Sequence, residues 1–271
     1  MKDARHHLGS LLMRESLVDK GVVAGTDGGA TVRMLPDVSV VKIGASSIID
    51  KGSAVVSPVV EALGRALSRD RLIISTGGGA RTRHVLSIGI DLGLPTGVLA
   101  QLAMADSLGN AHILGTLLAP FGVVAIPPEM FGHLLPLFVR AVPGVIWSGE
   151  PPYSLWEHPP QEGRIPPHRT DTGTYLVGEC FGCKQVILVK DVDGLYERDP
   201  KRHQGAARIA EIGARELARR DLETLPFDRA LLGLLQRARL VDRFQIVSGL
   251  IPGHLEAALR GERPGSVVYR D

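Results

Sequence analysis

Val186-Ile187-Leu188-Val189-Lys190 is a β-branched apolar run that ends in a lysine and leads into the acidic, Gly- and Pro-bearing stretch Asp191 to Pro200. A lone buried ammonium is costly. At the carboxyl end of a strand in an open α/β sheet its usual counter-ion is a ligand phosphate. The chain has only seven lysines against 24 arginines, and a second lysine, Lys42, ends the similar run Val38-Ser39-Val40-Val41 before Ile43-Gly44. Two such lysines predict one phosphate site. After Lys190, Asp193-Gly194 and Asp199-Pro200 are turn signals and Tyr196 offers a flat face to a base. The competing readings are a solvated turn for this loop and, for Lys42, an edge lysine whose stem lies along the surface.

Thr76-Gly77-Gly78-Gly79-Ala80 separates a strand-like run from a helix-like one, so its backbone N–H groups and the helix start can cradle an oxyanion. The plainer reading is a tight turn that needs positive φ. It is no Rossmann fingerprint, because Thr82 stands where a third glycine belongs, and the chain has no G-K-[ST] P-loop and no G-x-S-x-G elbow. Thr170-Asp171-Thr172 marks a helix start, where Asp or Thr can serve as N-cap. A carboxylate there can also orient Lys42 or Lys190, or reach Mg²⁺ through water. Cys180-Phe181-Gly182-Cys183 has C-x-x-C spacing but no second ligand pair, and it closes a helix rather than opening one, so it reads as two inert thiols. Of nine histidines, His112 in a predicted buried helix and His168 just before Asp171 are the candidate ligands, each against a plain structural role.

Strands are predicted at 38–42, 71–75, 123–126, 144–148, 185–190, 244–248 and 266–269, and helices at 54–67, 80–91, 100–118, 131–140, 172–180, 226–238 and 253–259. Alternation of this kind implies a largely parallel sheet with helices on both faces. Residues 1–35 read as an N-terminal arm and 36–271 as the main domain, with a soft division near 182 into an oxoanion half and a nucleotide half. The proline-rich stretch Gly149 to Thr170 is too long for an ordinary connection, and loops of that length are commonly functional.

With 271 residues, 44% of them apolar, the chain can bury a full core. A formal charge of +2 and 4% aromatics argue against a nucleic-acid partner. The segment Ser107 to Pro128 carries no Asp, Glu, Lys or Arg, yet Asn110, His112 and three prolines make it a buried helix and strand rather than a membrane span. The start is charged and followed by too short an apolar stretch for a signal peptide, and two cysteines suit a reducing compartment, so the expected location is the cytoplasm.

Lys42-Ile43-Gly44, Gly77-Gly78-Gly79, Thr170-Asp171-Thr172 and Lys190 through Pro200 follow the order of motifs in the amino acid kinase superfamily, which includes the uridylate kinases. Within it the chain most resembles the molybdenum storage protein family. That likeness is carried by Arg83-His84, Gly93-Leu94-Pro95, Pro151-Pro152-Tyr153, Ile165-Pro166-Pro167-His168-Arg169, Pro226-Phe227-Asp228-Arg229-Ala230 and Gly249-Leu250-Ile251-Pro252-Gly253. The resemblance implies a three-layer αβα sandwich with a mainly parallel sheet. It further implies ATP with Mg²⁺, and a homo- or hetero-hexameric cage in which ATP hydrolysis drives molybdate or tungstate into polynuclear oxide clusters. Carried over by residue, Lys42, Gly44, Gly77, Gly78, Gly79 and Lys190 would bind the phosphates. Asp171 would organise the lysines and magnesium, and Asp193, Gly194, Tyr196, Asp199 and Pro200 would hold the nucleoside. His112, His158 and His168 would be the oxometalate ligands. Two departures stand out: Ala45 replaces the second glycine of the usual Lys-Ile-Gly-Gly, and Ser154-Leu155-Trp156-Glu157-His158 replaces a histidine-rich segment. A small-molecule kinase and a catalytically silent nucleotide-binding subunit are the alternative readings.

Overall fold

The strands are almost uniformly apolar because helices cover both faces of the sheet they form. In this computed structural model, which describes residue 20 and residues 30–271, β1 (Val38–Ile43) is buried at every position. It is followed by α1 (Ser53–Leu67), β2 (Arg71–Thr76), α2 (Gly79–Asp91), α3 (Thr96–Leu118), β3 (Val123–Ala125), α4 (Pro128–Ala141) and β4 (Gly144–Trp147). The second half adds α5 (Thr170–Phe181), β5 (Gln185–Lys190), β6 (Leu195–Tyr196), β7 (Arg208–Ile209), β8 (Glu211–Gly213) and α6 (Ala214–Arg220). It closes with α7 (Ala230–Gln236), β9 (Arg243–Ser248), α8 (His254–Leu259) and β10 (Ser266–Tyr269).

Eight strands form one sheet in the order β3-β4-β2-β1-β5-β9-β10-β8, parallel except where β10 runs against β9. The two-residue period of a strand sends alternate side chains to opposite faces. Val38, Val40, Ile73, Val186, Leu188 and Ile246 pack with α4, α5, α6 and α7, while Val41, Ile43, Ile74, Ile187, Val189 and Val247 pack with α1, α3 and α8. This is the three-layer αβα sandwich. By the same period Lys42 and Lys190 project from the ends of adjacent strands onto the α5 face. Helix α5 lies close to the sheet because a Cβ on Gly178 would come within 2.5 Å of Val186 Cγ2.

Residues 33–271 form one unit, and β1 bridges the two sides of position 182 by pairing with both β2 and β5. Of the predicted arm, residues 1–19 and 21–29 lie outside the described residues. Its end is docked: Leu35 is buried, and the Met34 and Leu35 amides donate to the Phe181 carbonyl.

Two expectations are corrected. The helix predicted at 226–238 forms only over Ala230–Gln236, because Pro226 to Asp228 is drawn to the start of α5. The charge-free stretch is not uniformly buried, since β3 is an edge strand and Ile113, Leu117, Phe121 and Val124 are exposed. No helix among the described residues is long and apolar enough to cross a membrane. Finally, β6, β7, β8 and α6 carry too few residues for a periodic signal. β6 and β7 pair antiparallel beyond Lys190. They are tied to the last strand by Ser266, whose hydroxyl accepts from the Leu195 amide at 2.8 Å and donates to the Ile209 carbonyl at 2.5 Å.

Candidate functional site

Lys42 and Lys190 meet at one carboxylate. Asp171, in the first turn of α5, lies 2.5 Å from Lys42 Nζ through Oδ1, and 2.9 and 3.1 Å from Lys190 Nζ through its two oxygens. Burial pushes the Asp171 carboxyl up, but the charges of Lys190 and Lys42 outweigh it and hold the group well below the usual carboxylate range. Burial pulls the Lys190 ammonium down to about 8, against the opposing attraction of Asp171.

Asp171 is not the cap of its own helix, contrary to the simpler sequence reading. The cap comes from Asp228, whose Oδ2 accepts from the Asp171 and Thr172 amides, each at 3.1 Å. Asp171 Oδ2 in turn accepts from the Asp228 amide at 3.2 Å. The exchange resembles a capping box made between distant parts of the chain. Arg169 Nη2 lies 3.1 Å from the other Asp228 oxygen.

The triple glycine sits at the start of α2, and Gly79 has φ +72°, so the turn does need a residue free of Cβ strain. It also holds an anion, but an internal one: the Ala80 amide donates to Asp50 Oδ2 at 2.8 Å. Asn110 Nδ2 donates to the Gly77 carbonyl at 2.6 Å and ties the turn to α3.

These groups surround a cavity of about 450 Å³ whose wall includes Lys42, Gly44, Gly77, Gly78, Gly79, Asp171, Lys190, Gly194, Tyr196, Asp199 and Pro200. The structure thus brings together all but one of the residues expected at the phosphates and nucleoside. Asp193 is off the wall, where its carboxylate accepts from the Tyr196 hydroxyl at 2.5 Å. The wall also carries Arg83, Glu150, Arg169 and Asp228, to which the residue pattern assigned no role. Glu150 lies three residues beyond the end of β4, past Gly149 at φ +84°, and so escapes the pattern of an apolar run ending in a charge; Asp228 gives no local signal.

The donor set suits a nucleotide's phosphates: two ammonium groups and a glycine turn open onto one cavity. It does not suit a directly ligated Mg²⁺. Each Asp171 oxygen already accepts two hydrogen bonds, and the described residues contain no group of three His, Cys, Asp or Glu placed to hold a metal ion.

The histidines divide. His158 and His168 lie with ring centroids 5.8 Å apart, and His168 Nδ1 is 3.0 Å from Glu157 Oε1. A carboxylate accepts, so Nδ1 carries the hydrogen and Nε2 remains for a ligand. His112 is exposed on α3, two positions and therefore about 200° around the helix from the inward-facing Asn110. None of the three lines the cavity. The cysteines form no disulfide, and burial pushes the Cys183 thiol up to about 12, so it stays protonated.

Residues 157–242 match the model of the amino acid kinase family. The chain is 43% identical over 268 residues, 99% of both sequences, to the molybdenum storage protein subunit beta of Azotobacter vinelandii. It is 29% identical over 239 residues, 83% of this chain and 94% of the relative, to a uridylate kinase of Thermofilum pendens. Among solved structures, the UMP kinase of Bacillus anthracis matches with a TM-score of 0.67 at 15% identity, over 87% of this chain and 96% of that one. Structural likeness at that identity speaks for the amino acid kinase fold alone. Sequence identity that runs along nearly the whole chain speaks for more: the chain belongs to the molybdenum storage protein family.

Proposed function

We propose that the protein is a cytoplasmic, ATP-binding storage subunit that uses ATP hydrolysis to deposit molybdate or tungstate as polynuclear oxide inside an oligomeric cage. The observation that carries the nucleotide part is the pair of lysines sharing Asp171 at the ends of adjacent parallel strands, beside the glycine turn. The cargo and the assembly rest on the relative, which is named as a subunit of a molybdenum storage protein.

Phosphoryl transfer needs chiefly positioning and charge stabilisation. Lys42 and Lys190 bind phosphate oxygens and stabilise the charge that develops as the terminal phosphoryl group passes to water. Asp171 holds the two ammonium groups in one place, and the loop carrying Gly194, Tyr196, Asp199 and Pro200 holds the nucleoside. With no group of three His, Cys, Asp or Glu among the described residues placed to hold Mg²⁺ directly, any Mg²⁺ would be held chiefly by the nucleotide and would add charge neutralisation to that of the lysines. His158 and His168 are the proposed oxometalate ligands, with Glu157 fixing the tautomer of His168.

The test is metal content per chain after incubation with molybdate or tungstate and Mg-ATP, against an ATP-free control. Many atoms per chain, present only with ATP, are expected for the wild type, and none for Lys190→Ala in an intact assembly. Equal loading by that variant would remove Lys190 from the mechanism. The kinship with uridylate kinases favours one second reading, an organic phosphate acceptor, and phosphorylation of UMP by the purified protein would support it.

A further inference from the structure

Glu150 is 4% exposed and lies on the wall of the same cavity as Lys42, Lys190 and the glycine turn. Its position is electrostatically odd, because a cavity built to draw in anions should not present them with a carboxylate. Nor is the carboxylate neutralised by a partner. Among the described residues it forms no ion pair. Ser107 Oγ, on α3, lies 3.4 Å from Oε1, but the single hydroxyl hydrogen of Ser107 has the Ala103 carbonyl at 3.0 Å to go to. The contact to Glu150 is therefore the longer claim on a shared hydrogen, and an ionised Glu150 would be buried with that one weak donor, which is costly. A protonated Glu150 has a hydrogen to give.

We propose that Glu150 is the residue by which this cavity reads the protonation of its oxoanion. Protonated, it donates a hydrogen bond to an unprotonated oxygen of a tetrahedral dianion such as molybdate or tungstate. Ionised, it repels such an anion and accepts from one that carries its own hydrogen, such as hydrogen phosphate. The proposal deepens the storage reading, on which it rests for molybdate or tungstate as cargo, and adds that the oxoanion enters this cavity as well as meeting His158 and His168 outside it.

The surroundings agree with this. Burial and then the charge of Asp228, from the segment before α7, push the Glu150 carboxyl up to about 8; Lys42 on β1 and Arg169 before α5 oppose them, as does Ser107 on α3. The proton is therefore held at neutral pH and released just above it. Lys190 titrates in the same range, so loss of anion binding at high pH has two sources. A variant separates them. Glu150→Gln keeps the shape and a permanent donor, whereas Glu150→Met removes the donor at every pH.

The experiment is calorimetric titration of the wild type and both variants with sodium molybdate, and separately with inorganic phosphate, at pH 7 and pH 9 without ATP. If only the protonated form accepts molybdate, the wild type loses about tenfold in affinity between these pH values beyond any loss in Glu150→Gln. Phosphate affinity falls less than molybdate affinity in the wild type, and Glu150→Met binds molybdate weakly at both pH values. Equal losses in wild type and Glu150→Gln, or wild-type affinity in Glu150→Met, overturn the proposal. If phosphate binds with this dependence on Glu150 and molybdate does not bind at all, the cargo reading fails and the role of Glu150 stands. If neither anion binds the wild type at pH 7, both fail.

Discussion

Lys42 and Lys190 stand where two parallel strands end, whereas His158 and His168 stand in an irregular, proline-rich loop, and the two regions hold their polar groups by different means. At the strand ends the sheet register sets the positions. β1 and β5 pair residue for residue, so the two ammonium groups arrive on one face within reach of the first turn of α5. In the loop no ladder sets positions. The nearly inaccessible carboxylate of Glu157 does so instead, accepting from the His158 amide at 2.7 Å and from His168. The first region places charge by backbone geometry and tolerates little change; the second depends on one side chain and can be rebuilt by sequence. The departure of this chain from the histidine-rich pattern falls in the second region.

Four perturbations sharpen that contrast. Asp171→Ala leaves two buried ammonium groups facing each other and frees the Asp228 amide, so it should destabilise the protein by about 3–5 kcal/mol, read from urea unfolding. Wild-type stability in that variant would mean that the strand ends do not depend on the shared carboxylate.

The pH dependence comes next. Glu150 is raised in the folded state from 4.5 to about 8, so the folded protein holds a proton that the unfolded chain gives up. Its contribution is full below pH 4.5 and is lost as pH rises toward 8, a change of a few kcal/mol. Lys190 is lowered from 10.5 to about 8, and its contribution has the opposite slope, with stability recovering between pH 8 and 10.5. Chemical denaturation from pH 5 to 10 should show the first slope vanish in Glu150→Gln and the second in Lys190→Met.

Asp228→Ala removes the cap of α5 and should cost about 1–2 kcal/mol. The loss should be accompanied by weaker ATP binding, because Asp171 is then held by one contact fewer. Glu157→Ala should have the smallest effect on the fold, about 1 kcal/mol, since it frees two donors in a partly exposed loop. ATP affinity should not change, while proteolysis within residues 150–168 should become faster. Equal loss of ATP binding in the two variants would erase the distinction between the regions.

The lysines were legible because an apolar run that ends in a charge is a local pattern, and period two then fixes the face. The sheet was legible for the same reason: each long strand announces itself within six residues. Asp228 was not, because its work is done on amides far away in the chain, and nothing in Pro226 to Ala230 shows that a helix must start late to allow it. The triple glycine revealed a cradle but not its occupant, since Asp50 reaches it from a separate 3₁₀ turn at Ile49–Lys51. His112 was misplaced by treating a charge-free helix as buried on all sides, when its apolar surplus lies partly on the surface.

The order of the strands also bears on how the protein is made. Among the described residues β10 is the only neighbour of β8, and its Ser266 pins the hairpin that borders the cavity. On the ribosome, β8 and that hairpin emerge well before the strand that fastens them. The growing chain can assemble its lysine pair early and still lack a finished cavity wall, which is fastened only once residues 266–269 have been made.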